Sequence, residues 1–205
     1  MRTEESWNTR VLPGKLKKFP LRIQQVLQNV EIENIPEVIE SCYIWGESGT
    51  GKTIYASALL LEEEKQLYLN KRCLQDGDDY REYEKYENSI GNTECVFVTM
   101  VDLITRIKKT YDKDATETES SVLEYYSNVH LLLIDDFGTV KPTDWLLLIL
   151  YSIINHRYDY LKKTIFTSNF DLNAAAVSMG DNRLTSRIER MCEGNLIEKE
   201  PYKRK

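Results

Sequence analysis

Apolar residues along the chain fall into two kinds of segment that alternate. Cys42-Tyr43-Ile44-Trp45 and Leu131-Leu132-Leu133-Ile134 are short, continuous runs of strand length, as expected for strands buried on both faces. Cys95-Val96-Phe97-Val98 and Thr164-Ile165-Phe166-Thr167 are further strand candidates, and a last short one sits at Leu196-Ile197. Between them the spacing becomes helical. Ile23, Val26, Leu27 and Val30 share one face of a helix over Leu21 to Val30. Ala56, Leu59 and Leu60 mark a helix from Lys52 to about Glu64, and Leu103, Ile104 and Ile107 mark one from Val101 to Tyr111. After the helix-start signal Pro142-Thr143-Asp144, Leu146, Ile149, Leu150, Ile153 and Ile154 define a long helix. Shorter helical stretches lie near 171–178 and 182–192. The alternation predicts an α/β fold, a parallel sheet covered by helices on both faces.

Two stretches stand outside that pattern. Residues 1–40 read as a short N-terminal segment rather than a domain, and residues 41–205 as the domain itself. Within it, residues 70–94 are acidic and Tyr-rich, and read as a solvated excursion with some helix that could also bind a partner. A polar run covers Asp112 to Ser121.

Composition narrows the function classes. A chain of 205 residues, 41% hydrophobic, suits one domain with a real core and is short for two. The 27 Lys and Arg against 33 Asp and Glu exclude a bulk nucleic-acid neutraliser, so nucleic-acid contact would come from local clusters such as Lys15-Lys17-Lys18 or Arg106-Lys108-Lys109. No apolar run approaches a spanning length and the start carries no apolar leader core, so no membrane association is expected. The four cysteines are scattered without zinc-ligand spacing, which fits a reducing cytoplasm.

The chemistry is concentrated after three strands. Gly46-Glu47-Ser48-Gly49-Thr50-Gly51-Lys52-Thr53 satisfies G-x-x-x-x-G-K-[ST] and sits between a strand and a helix, the context that gives the motif meaning. Its glycines let backbone N–H groups turn toward phosphate oxygens at a helix N-terminus. Lys52 supplies a cation to the β- and γ-phosphates of ATP, and the Thr53 hydroxyl a ligand for Mg²⁺. The strand Leu131 to Ile134 ends in Asp135-Asp136, which places Asp135 to hold Mg²⁺ and Asp136 to polarise an attacking water. Many such ATPases carry glutamate where this chain has Asp136. The strand Thr164 to Thr167 ends in Ser168-Asn169; were it to lie between the other two, Asn169 would point at the γ-phosphate or its water. Arg183 and Arg187, four apart, share one face of a helix, where a cation could stabilise transition-state charge.

This ordered set resembles helicase loaders of the DnaC and DnaI type, within the AAA+ (ASCE) branch of P-loop NTPases, and the related transposition helper IstB. The likeness runs from about Ser41 to Lys205. It is carried by the phosphate loop, Leu132-Leu133-Ile134-Asp135-Asp136-Phe137-Gly138-Thr139, Ile153-Ile154-Asn155-His156-Arg157-Tyr158, Thr164-Ile165-Phe166-Thr167-Ser168-Asn169 and Arg183-Leu184-Thr185-Ser186-Arg187-Ile188. The resemblance implies an Mg-dependent ATPase that loads a DnaB-type replicative helicase onto single-stranded DNA, with slow turnover stimulated by assembly or DNA. It implies Asn169 as first sensor and Arg187 as a finger reaching a neighbour's nucleotide in a homo-oligomer or helical assembly. Near the C-terminus, Pro201-Tyr202-Lys203-Arg204 resembles the loaders' Tyr-Arg, so that Lys203 or Arg204 takes the second-sensor position. The loaders usually carry a larger N-terminal helicase-binding domain, and a compact version suits a phage or mobile element. Two other classes also fit parts of the pattern. A superfamily-three viral helicase pairs an Asp-Asp strand with a Thr-Ser-Asn strand, but its upstream nicking domain would need a His-rich motif, and this chain has only His130 and His156. An adaptor that uses ATP as an assembly switch, with little turnover, is the other.

Overall fold

Strand β1 (Cys42–Trp45), β2 (Cys95–Thr99), β3 (Leu131–Asp135), β4 (Lys163–Ser168) and β5 (Leu196–Glu198) join in the order β2-β3-β4-β1-β5, every neighbouring pair parallel. The computed structural model describes residues 8, 11–29, 35–36, 39–75 and 94–200. All five positions of β3 are buried, because parallel strands need crossovers that cover both faces of the sheet. The order puts β4 between β1 and β3, which meets the condition set for Asn169.

Successive side chains of each strand enter opposite cores. Tyr43, Leu132, Ile134 and Phe166 face one core; Cys42, Ile44, Leu131, Leu133 and Ile165 face the other. The helices are α1 (Leu21–Asn29), α2 (Lys52–Gln75), α3 (Met100–Lys109), α4 (Glu119–Asn128), α5 (Asp144–Asp159), α6 (Leu172–Met179) and α7 (Asn182–Met191). Helices α3, α4, α5 and α7 pack on the first face, with Leu103, Val122, Ile153 and Ile188 among the contacts; α2 packs on the second through Ala56, Leu59 and Leu60. All five apolar positions that defined the long helix after Thr143 are buried. The Thr143 hydroxyl caps that helix by accepting the Leu146 N–H at 3.2 Å.

Three features differ from the sequence expectation. Helix α2 does not stop near Glu64 but continues to Gln75, into the stretch assigned to the excursion. No glycine or proline interrupts residues 52–75, so nothing breaks the helix once it is nucleated. The rest of that excursion, residues 76–93, lies outside the described residues. Helix α4 was not foreseen. It begins at a capping box in which Thr118 and Ser121 exchange side chain-to-backbone hydrogen bonds, and it buries Val122 and Tyr126. Third, the N-terminal segment is not a free tail. A one-turn helix (Leu12–Lys15) runs into a 3-10 turn (Leu16–Lys18) and α1, and Leu16, Phe19 and Ile23 are buried in the α2 core. Phe19 meets Phe97 edge to face at 5.3 Å.

The same docking commits charges that were candidate phosphate contacts. Lys15 and Lys18 both reach Glu64 Oε1, at 3.0 and 2.6 Å, and Arg106 pairs with Glu117. Lys17, Lys108 and Lys109 stay exposed. Among the described residues no helix is long and apolar enough to cross a membrane.

Candidate active site

The loop from β1 into α2 crosses the carboxyl edge of the sheet beside the central strand β4. Gly46 adopts φ 146°, and a Cβ there would lie 2.3 Å from the Lys199 carbonyl oxygen. Only glycine lets the end of β5 approach this closely, an approach secured by Lys199 N–H donating to Trp45 O at 2.7 Å. Thr50 closes the loop by donating to the Glu47 carbonyl at 2.9 Å. Helix α2 then starts at Lys52, so the positive end of its dipole faces the loop.

Lys52 is nearly buried, 6% exposed, and its ammonium donates to the carbonyls of Gly46 (2.8 Å) and Glu47 (2.7 Å) and to Asn169 Oδ1 (3.0 Å). Burial lowers its pKa, against the opposing charges of Asp136 and Asp135. The first strand's lysine and the third motif's asparagine therefore meet directly. Thr53 donates to Asp135 Oδ1 at 2.9 Å. Burial raises the Asp135 carboxyl above the ordinary aspartate value, helped by the Asp136 charge, while hydrogen bonds from Thr167 and Thr53 and the Lys52 charge act the other way. A hydroxyl and a carboxylate brought together are hard oxygen donors of the kind Mg²⁺ takes, so the residues present fit that ion.

Asp136 is exposed and has φ 59°, off the strand geometry of its neighbour Asp135. Its charge acts on the Lys52 ammonium, favouring the protonated form against the effect of burial. Ser48 and Gly49 are exposed in the loop, and Gly49 and Gly51 share the positive φ that the motif calls for.

Arg187 lies elsewhere. On α7 it donates to Asn155 Oδ1 of α5, and its guanidinium sits over the Tyr151 ring at 4.6 Å. Neither partner belongs to the phosphate loop. Arg183 is exposed and held by Asp181. Lys203 and Arg204 lie outside the described residues. Sequence reasoning passed over Thr167, whose hydroxyl touches both acids; the signal was present in the small polar tip Thr167-Ser168-Asn169. It also passed over the inward direction of Arg157. That guanidinium is fully buried, donates to the Tyr126 and Val129 carbonyls (both 2.9 Å) and to Thr164 Oγ1 (2.8 Å), and is pushed down to about 9 by burial. It ties the end of α4 to the start of β4 and has no part in the site.

No protein-family model matches the chain. It is similar to the replicative helicase loader DnaC of Buchnera aphidicola subsp. Baizongia pistaciae, 28% identical over 152 residues, which are 74% of this chain and 50% of that protein. The chain thus spans about half the length of the curated relatives it matches. Among solved structures, a DnaC helicase loader superposes over 97% of this chain and all of its own length, with a TM-score of 0.57 and 24% identity. A replication initiator DnaA bound to AMPPCP and single-stranded DNA superposes over 98% of this chain and 50% of its own, with a TM-score of 0.58 and 20% identity. The fold is that of the AAA+ P-loop NTPases, and the resemblance to DnaC-type loaders extends to the sequence.

Proposed function

We propose that this chain binds and hydrolyses Mg-ATP and acts in loading a DnaB-type replicative helicase onto single-stranded DNA. The ATPase part rests on one observation: at a single sheet edge Lys52 touches Asn169 at 3.0 Å while Thr53 touches Asp135 at 2.9 Å. Three strand ends that are far apart in sequence converge there on the groups phosphoryl transfer needs. The loading part rests on the likeness to the Buchnera DnaC.

In this reading the N–H groups of residues 46–51 and the Lys52 ammonium hold the phosphates. Thr53 and Asp135 would hold Mg²⁺, which neutralises charge on the phosphate oxygens. Asp136, carried out of the sheet edge, draws the proton of the attacking water, and Asn169 orients that water against the γ-phosphate. Arg187, fixed on the α5 surface, serves the nucleotide of an adjacent copy in an oligomer or helical assembly, and Lys203 or Arg204 serves as second sensor. Residues 41–205 are the ATPase domain, against which residues 11–29 of the 1–40 segment pack, and the setting is the cytoplasm of a bacterium or of a phage host.

The test is ATP turnover by the chain alone, with single-stranded DNA, and with a replicative helicase. The proposal expects slow basal turnover, stimulation by DNA or helicase, and loss of the stimulated part in Arg187→Ala. ATP binding without turnover under every condition would favour the assembly-switch adaptor instead.

A further inference from the structure

Thr167 has no part in the assignments above, yet its hydroxyl meets the carboxylate of Asp135 and the backbone N–H of Asp136. It is fully buried on β4. Its hydroxyl donates to Asp135 Oδ1 and accepts the Asp136 backbone N–H at 3.0 Å, and its carbonyl accepts the Phe137 N–H at 2.7 Å. One threonine therefore engages three consecutive residues at the end of β3.

The regular β3–β4 register runs from Leu131 opposite Lys163 to Ile134 opposite Phe166. Just beyond it Asp136 turns into the left-handed region, a conformation that neighbouring contacts must support. Thr167 holds the chain on either side of the turn, through Asp136 N–H and Phe137 N–H. Its hydroxyl has one proton to give and lone pairs to accept, so it serves the carboxylate and the backbone together. Valine would fill the same volume and do neither. The Thr53 and Thr167 hydroxyls both converge on Oδ1 of Asp135, and neither engages its other carboxylate oxygen.

We propose that Thr167 is a positioning residue for ATP hydrolysis: its hydroxyl sets the orientation of Asp135 and the backbone turn that delivers Asp136. The proposal rests on the ATPase reading of this site. It makes β4 supply more than Asn169, since the same strand end that touches Lys52 also sets the two acids.

The experiment compares wild type, Thr167→Val and Thr167→Ser in three measurements: titration with a fluorescent ATP analogue with and without Mg²⁺, the Mg²⁺ dependence of turnover, and thermal unfolding. Thr167→Val should bind the analogue like wild type without Mg²⁺. It should lose about 10–100-fold in Mg²⁺-dependent affinity or turnover, the scale seen when the partner that orients a metal-holding group is removed. Thr167→Ser should restore most of the loss. Equal Mg²⁺ dependence in wild type and Thr167→Val overturns the proposal. So does a variant that is merely less stable while its Mg²⁺ dependence is unchanged. Should Thr167→Val not fold, Thr167→Cys, similar in size and a weak donor, carries the same comparison, and an unchanged Mg²⁺ dependence in it overturns the proposal. A wild type that binds no nucleotide overturns the ATPase reading and this proposal with it, whereas a binding wild type matched by its variant overturns this proposal alone.

Discussion

Asp136 joins backbone conformation to chemistry at one position. With φ 59° it occupies a region that Asp and Asn enter more readily than most side chains, because a short polar group tolerates the crowding there. Aspartate is a shorter acid than glutamate, and here it stands in a turn just beyond the β3–β4 register. Asp136→Asn keeps that tolerance and removes the charge, which makes it a clean probe. It should bind ATP as the wild type does and lose about 10²–10⁴-fold in hydrolysis, the usual scale for a lost general base. A steady-state rate equal to wild type would show that another residue activates water. The residue types of the site were legible because phosphate chemistry demands them at set spacing after a strand. Thr167 was not, because its task depends on which strand lies beside β3, and a sequence read one segment at a time holds no such neighbour.

Among the elements, α2 connects the site to the opposite end of the molecule. Its first residues, Lys52 and Thr53, serve the loop, and three turns on it buries Glu63 and Glu64. Burial alone would raise the Glu63 carboxyl, but His130 Nε2 at 2.6 Å and Lys163 Nζ at 2.9 Å hold it below the ordinary glutamate value. Glu64 takes Lys15 and Lys18, so the N-terminal segment is pinned on the same helix. Phe19, 3% exposed, anchors it. Phe19→Ala should cost about 3–5 kcal/mol in denaturant unfolding, as large-to-small changes of buried aromatics do. A loss below about 1 kcal/mol, the size of an ordinary surface change, would mean the segment is only loosely applied. The docking of the segment was not legible because Leu16, Phe19 and Ile23 follow no single period: Pro20 separates a 3-10 turn from α1, and each side contributes part of the buried face. Helix α4 escaped notice for a related reason, since Val122 and Tyr126 are few apolar positions in a polar surrounding. The long α5, with five buried apolar residues in register, was unmistakable.

For the molecule as a whole, strand order decides which motifs can act together. With β4 seated between β1 and β3, the phosphate loop, the paired acids and Asn169 share one edge, while Arg187 on α7 is engaged with Asn155 of α5. The alternation of strands and helices made a parallel sheet legible from the sequence; the order of its strands came only from the assembled fold. The proposed ATP site depends first on Lys52, whose ammonium reaches Gly46, Glu47 and Asn169 at that edge. The most direct measurement is therefore a titration of wild type and Lys52→Ala with Mg-ATP, followed by calorimetry, with circular dichroism confirming that both are folded. Saturable binding by the wild type and none by the folded variant is expected. Binding of equal affinity by both would overturn the assignment of Lys52 to the phosphates.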